Sequence, residues 1–528
     1  MHSRVAIAAS GLLGLGALAA FARATPHQVF YGDVAEFQLL GLTGGLAHAN
    51  GYPVYITLAN LFALLPIGPL SEAAYRVNLL SAVFGGVAVG LAALFVADVT
   101  SADLLARQRW IGVVAGIFAG LAFCLVGTTW ALATVASPYT LDTATMLAVL
   151  LLVGRWSRGA SARYLDAGLF IWGVSFGGHD DTVLLAPGLA FLILTRLIPE
   201  RRKVVGAVPV AALWLFGGFA VFLATWAFQD SRNVPFDFMH TLGWIAPDTW
   251  IPSMRTPLDR FLFQATNQEW RHAFFALPLA QIEANVAGYF GNLPITFTLV
   301  GVDLATVGVV SALLRRPALG MALLLTFLAQ MAFWMSYEIA DLPKHLLPSY
   351  LLVALWVGLG AGEVVRLAVG TVEKLSERIA GRAVAGAAVG VVVAAALAWG
   401  SLVPLAEAYG PDATGQAPVD YEAIQDHVPA SLGEAQAYAE GTVARLPRNA
   451  VVFAAWKQVF TLEYVAEFQE GRPDILVTRE DSYANVSAVL AYSVGRPDFF
   501  VDPPARWLPP DLASRLVSVP PMYELKPS

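Results

Sequence analysis

The chain has 528 residues, of which 57% are hydrophobic and only 13% charged. A soluble chain of this length would carry about twice that charged fraction, so the composition excludes an ordinary soluble domain and points to a polytopic membrane protein. A formal net charge of -7 argues against a nucleic-acid partner, and the single cysteine, Cys124, excludes an internal disulfide framework and a cysteine-based zinc site.

In chain order, "RVAIAASGLLGLGALAAFARA" (4–24) fits either a signal peptide or a retained first membrane helix. The many apolar runs downstream favour retention. Further runs of membrane length fall at 77–99, 111–127, 138–154, 165–179, 182–198, 204–227, 288–313, 318–336, 346–365 and 383–404. With 5–22 they predict about eleven transmembrane helices. The 165–198 region also fits one broken hairpin. The basic groups Arg107/Arg109, Arg155/Arg158/Arg163, Arg201–Lys203, Arg315/Arg316 and Arg366–Arg382 fall in alternate loops, which places them all on the cytoplasmic side with Arg4.

The other loops then face outward, and every histidine except His2 lies in them: His27, His48, His179, His240, His272, His345 and His427. In the first outer loop (23–76), Asp33 and Glu36 are three apart and share a face if the segment is helical. Leu39, Leu40 and Leu42 give that helix an apolar side, so it reads as lying along the membrane surface. A second such helix follows in "GYPVYITLANLFALLPIG", with Pro53 near its start. The acids fit either a solvated helix N-terminus or a general base beside a lipid headgroup.

Three further outer turns carry polar groups: Tyr139 and Asp142 in "ASPYTLDTATML", His179, Asp180 and Asp181 in "SFGGHDDTVLL", and Glu338, Asp341, Lys344 and His345 in "YEIADLPKHLLPSY". One histidine and two aspartates are too common to specify a metal, while Lys344 and His345 suit a phosphate. Only Asp303 sits near the middle of a span, where transporters place ionisable groups. The tail beyond residue 404 is less apolar and has no span. "AVVFAA", a helical stretch with Leu462, Val465 and Phe468 on one side, and "DILVT" read strand, helix, strand, with "RPDFFVD" as another strand. The crossover favours a parallel pair. The expected organisation is a membrane domain over 1–404, with a long outer loop at about 228–287, and a small extracytoplasmic α/β domain over 405–528.

The order "GDVAEF", "LAHANGYPVY", "AYRVNLLSAVFG", "TTWALATVASPYTLDTATML", "WGVSFGGHDDTVLLAPG" and "YEIADLPKHLLPSYLLVALWVGLG" resembles a family of polytopic GT-C glycosyltransferases, bacterial proteins with an animal relative that is a protein O-mannosyltransferase. "FTLEYVAEFQEGRPDILV" resembles the family's C-terminal region. The resemblance implies a mainly α GT-C architecture and a transferase that takes a sugar, mannose by the animal relative, from a polyprenyl phosphate. It implies catalysis at the extracytoplasmic face of a bacterial inner membrane, on a protein or glycan hydroxyl. Asp33 matches the family's catalytic base and Glu36 the second acid. His48, Tyr52, Arg76, Tyr139, His179, Asp180, Asp341, Lys344 and His345 are the candidates for donor-phosphate and substrate binding. No cofactor is required, with room left for a divalent metal. This chain departs from the family pattern at Val34 and Ala35, Ala49 and Asn50, around Ser137–Tyr139, and at Gly178, positions that concern donor and acceptor rather than fold. Two other classes remain: a lipid-linked sugar transporter, which would use Asp303, and a membrane assembly protein whose tail binds a partner.

Overall fold

The computed structural model describes residues 2–48, 50–68, 72–198, 201–234, 237–239, 254–375, 382–409, 433–480, 483–502 and 508–527. Its helices are α1 (His2–Ala24), α2 (Gly32–Thr43), α3 (Pro53–Ala63), α4 (Ala73–Ser101), α5 (Trp110–Cys124), α6 (Gly127–Thr134), α7 (Tyr139–Ser157), α8 (Ala162–Ser175), α9 (Ala186–Leu197) and α10 (Arg201–Ser231). There follow α11 (Pro257–Ala265), α12 (Leu279–Arg315), α13 (Pro317–Trp334), α14 (Leu342–His345), α15 (Leu347–Leu375) and α16 (Arg382–Tyr409). Among the described residues, seven helices are long and apolar enough to cross a bilayer, or eight with the α5–α6 pair, bent by 68°, counted as one span. The chain is an integral membrane protein.

Each of the expected apolar runs falls on a helix. The 165–198 run is a hairpin of two short helices, α8 of 14 residues and α9 of 12, with a 3-10 turn over Asp180–Leu185 at its tip. The long helix α12 is broken at Thr298, whose φ of 61° is not helical, four residues after Pro294.

The helices pack through small residues. Gly112, Gly116 and Gly120 recur every four residues along one face of α5 and let it lie against the backbone of α4. A Cβ on Gly116 would sit 2.3 Å from the Ala93 carbonyl oxygen. At the far ends of these helices the basic groups pair with acids: Arg155 and Arg158 with Asp98, Arg316 with Asp103, and Arg315 and Arg366 with Glu363.

The tail forms α17 (Glu434–Val443), β1 (Val451–Ala454), α18 (Trp456–Tyr464), β2 (Leu476–Arg479), α19 (Tyr483–Tyr492), β3 (Asp498–Phe500), α20 (Pro510–Ala513), β4 (Leu516–Val519) and β5 (Met522–Leu525). The sheet order is β2-β1-β3-β5-β4. Strand β1 pairs in parallel with β2 and β3, while β5 pairs antiparallel with β3 and β4. The expected strand–helix–strand unit and its parallel pairing are present. Phe468 differs from expectation. It is 44% exposed because the helix widens into a π turn over Val465–Gln469 and turns it away from buried Leu462 and Val465.

The larger difference concerns α2. Its pattern suggested one apolar side and one wet side, yet Gly32 and all of Val34–Gly41 are buried. Val34, Phe37 and Leu40 pack into the membrane bundle with Tyr55, Ile56 and Val77. Ala35 and Leu39 pack upward against Val459, Phe460 and Leu462 of α18. Thr461 Oγ1 donates to the Phe30 carbonyl at 2.6 Å, and Ala74 N donates to Tyr464 Oη at 3.0 Å. The tail is thus clamped over the first loop. Helix α3 starts at Pro53, as expected, after Gly51 and Tyr52 in left-handed conformations.

Gly116→Ala should force α4 and α5 apart and lower stability by about 1–3 kcal/mol. Gly291→Ala on α12, where a Cβ meets nothing within 4 Å, should be neutral or slightly stabilising. Thermal unfolding of the two variants in detergent distinguishes a packing stripe from mere glycine content.

Candidate active site

Between the bundle and the tail lies a cavity of about 610 Å3. It is lined by every candidate residue except Glu36 and Arg76, and also by Asp181, Trp456 and Arg479. Arg76 lies on α4, and its Nε donates to the Ala63 carbonyl at 2.9 Å. Glu36 is fully buried behind His48. His27 pairs with Glu72 and is not part of the cavity lining. His240, His427, Ala49 and part of the 228–287 loop lie outside the described residues.

Asp33 stands in the first turn of α2, where the helix dipole favours a carboxylate. Lys344 Nζ donates to its Oδ2 at 2.6 Å, and Trp456 Nε1 donates to its Oδ1 at 3.1 Å. His48 Nε2 is 3.5 Å from the same Oδ2. One turn on, Glu36 accepts the His48 amide at 2.9 Å and also pairs with His48 Nδ1. The shared helical face therefore produces a carboxylate–imidazole–carboxylate chain, Glu36–His48–Asp33. Lys344 also pairs with Asp341, so one ammonium bridges two carboxylates.

Charge settles accordingly. Burial pushes the Asp33 carboxyl up, but His48 and Lys344 outweigh it and hold it below the ordinary carboxylate range. Burial keeps Glu36 raised despite His48. Burial disfavours a charged His48, yet Asp33 and Glu36 override it and raise its pKa to about 9. His179 is raised to about 9 in the same way, by Asp181, Asp180 and Asp142 against burial. His345 is lowered by burial, partly opposed by Asp341.

The loop before α3 is pinned by its own polar groups. Asn50 Oδ1 accepts the Tyr52 amide at 2.9 Å, and Asn50 Nδ2 donates to the Phe176 carbonyl at 3.1 Å. Gln264 Nε2 donates to the Ala47 carbonyl at 2.8 Å. Tyr52 then stands between His48 and His179, with ring centroids 5.2 and 5.5 Å away. His345 stacks on Trp334 at 4.1 Å, with Tyr139 edge-on at 5.3 Å. Asp303 is exposed on α12, outside the packed bundle.

Trp456 and Arg479 come from the tail and were not singled out in the sequence. Trp456 follows β1 and Arg479 ends β2, with its guanidinium 5.1 Å over the Trp456 ring. Both stand at the carboxyl ends of parallel strands, where open α/β sheets bind ligands, and that rule is the signal that points to them.

Residues 33–202 match the family model described as Protein O-mannosyl-transferase TMEM260 N-terminal domain. The mouse Protein O-mannosyl-transferase TMEM260 is 23% identical over 273 residues, which are 51% of this chain and 35% of that protein. The alignment thus spans about a third of the relative's length. ArnT from Cupriavidus metallidurans, solved bound to undecaprenyl phosphate, superposes with a TM-score of 0.52 at 14% identity, over 93% of this chain and 92% of its own. The chain shares the fold of ArnT, and its residues 33–202 are similar to the TMEM260 N-terminal domain. The Archaeoglobus fulgidus oligosaccharyltransferase in its apo form gives a TM-score of 0.50 at 11% identity, over 95% of this chain and 69% of that one. The family match begins at Asp33 and runs through the loops that bring His48, Tyr52, Tyr139, His179 and Asp180 to the cavity.

Two outcomes test this electrostatic arrangement. Lys344→Met leaves Asp33 and Asp341 buried without their shared cation and should cost about 3–5 kcal/mol, with Lys344→Arg milder, read by thermal unfolding. The folded-state pKa values of His48 and His179 are raised from 6.5 to about 9. The stability they contribute is complete below pH 6.5 and is lost as pH rises to about 9. Unfolding midpoints should decline across that window, and less steeply in His48→Gln.

Proposed function

We propose that the chain is a membrane glycosyltransferase that moves a sugar, mannose first among candidates, from a polyprenyl phosphate to a protein or glycan hydroxyl. The observation that carries this reading is Asp33, an ionised carboxylate at the cavity wall that shares Lys344 with Asp341. The family match and the fold supply the class of chemistry. The basic groups pair at helix ends away from the cavity, which fits a cavity on the extracytoplasmic side. On this reading residues 1–404 are the transferase domain, and 405–528 form an extracytoplasmic domain that closes over it.

The reaction is a direct displacement. The acceptor oxygen bonds to the anomeric carbon from one face while the bond to the phosphate oxygen breaks on the other, so configuration inverts. The acceptor proton passes to Asp33. The bond electrons leave with the polyprenyl phosphate, which needs no proton. Lys344 and His345 line the cavity and meet the charge that develops on the leaving phosphate, where fixed donors and cations lower the barrier most. Engagement of Lys344 by the phosphate weakens its hold on Asp33, which raises the basicity of Asp33 when the donor is in place. Glu36 acts at one remove, by holding His48 charged and in position.

Asp33→Asn should lower transfer from polyprenyl-phosphate mannose by about 10²–10⁴-fold; Lys344 stays paired with Asp341 and His48 with Glu36, so the variant should still fold, at a cost of about 1–3 kcal/mol. Glu36→Gln should act mainly through His48, moving the alkaline limb of the pH profile to lower pH. Full transfer by Asp33→Asn removes Asp33 as the base.

A further inference from the structure

We propose that His179, Asp181 and His345 form a binding site for a divalent transition-metal ion of the zinc class in the cavity wall. Each offers a ligand atom, and the three atoms lie within 4.8 Å of one another. The side chains come from two separate turns, the tip of the α8–α9 hairpin and the α14 turn, so local sequence alone does not explain their meeting. They are 2%, 4% and 7% exposed.

Two of the groups are short of partners. His179 Nε2 and Asp181 Oδ2 are buried with no hydrogen-bond partner among the described residues. Leaving such groups unsatisfied is costly, and a bound cation would relieve that cost. The rings are already oriented. With its proton on Nδ1, which lies 3.4 Å from Asp180 Oδ1 and 3.4 Å from Asp181 Oδ1, the His179 ring leaves the Nε2 lone pair free to ligate. His345 Nε2 lies 3.5 Å from Asp341 Oδ1, and its ring stacks on Trp334. Carboxylates behind imidazoles are the supports that orient ligands in metal sites.

Two imidazoles and one carboxylate suit zinc better than magnesium or calcium, which prefer all-oxygen sets. Three protein ligands leave a coordination position open, and all three residues line the cavity. An ion there would add positive charge where the proposed donor phosphate leaves. That role rests on the transferase reading; binding of the ion does not.

The test uses the full chain in detergent, stripped with chelator, then loaded with Co2+ and freed of excess by gel filtration. Bound metal is counted by mass spectrometry, and the ligand-field absorption of the cobalt is recorded. About one Co2+ per chain is expected, displaced by Zn2+. Asp181→Asn and His345→Gln should each lower affinity by about tenfold or more, while Asp33→Asn binds as the unaltered chain does. Unaltered chain that retains no stoichiometric cobalt overturns the site. Folded Asp181→Asn and His345→Gln that both bind normally overturn it too. Normal cobalt binding with no transferase activity in any assay leaves the site standing and removes the transferase reading instead.

Discussion

One ammonium group holds the centre of this molecule together. Lys344 lies between Asp33 of the first loop and Asp341 of its own turn, with its side chain 6% exposed. Two carboxylates so close in a buried setting would repel each other and resist ionisation. Lys344 keeps both charged, and His48, itself held by Glu36, reinforces the effect at Asp33. An arrangement of this kind is expensive to form and stays in place only where the surrounding structure fixes it. Here α2 is fixed from both sides, by the membrane bundle below and by α18 above.

That double burial explains why the tail belongs to the site. Trp456 Nε1 reaches Asp33 Oδ1, so Asp33 has one oxygen held by the tail and the other by a membrane loop. Arg479 lies over Trp456 and 3.8 Å from Glu269, which links the tail to the segment between α11 and α12. The cavity is therefore shared between the bundle and the sheet. An ionised carboxylate, a shared lysine and a cluster of oriented histidines on one cavity fit displacement of a phosphate-linked sugar better than passage of a solute. Asp303, the acid a transport path would need, is exposed on α12.

Much of this was legible in the sequence, for physical reasons. Membrane spans are long apolar runs, so the helices could be read directly, as could His48, His179 and His345, which line the cavity. The three-residue spacing of Asp33 and Glu36 gave their shared face, and β1 and β2 declared themselves as β-rich runs around a helix. What could not be read depends on contacts distant in the chain. Nothing local says that α2 is covered on both sides, because its second cover, α18, lies more than 400 residues away. Arg76 looks like a phosphate ligand by type, yet the C-terminal end of α3 engages it through the Ala63 carbonyl. Glu36 looks equivalent to Asp33, but one helical turn separates a cavity position from a fully buried one. Trp456 is an ordinary aromatic until the sheet places it at the end of β1.

The most direct measurement reconstitutes the full chain in liposomes with a panel of polyprenyl-phosphate sugars and a hydroxyl acceptor. Release of free polyprenyl phosphate is followed alongside sugar on the acceptor. Equal release and transfer are expected with at least one donor, both lost in Asp33→Asn. A lipid-linked sugar that crosses the bilayer with its phosphate linkage intact, and no release with any donor, would contradict the transferase reading.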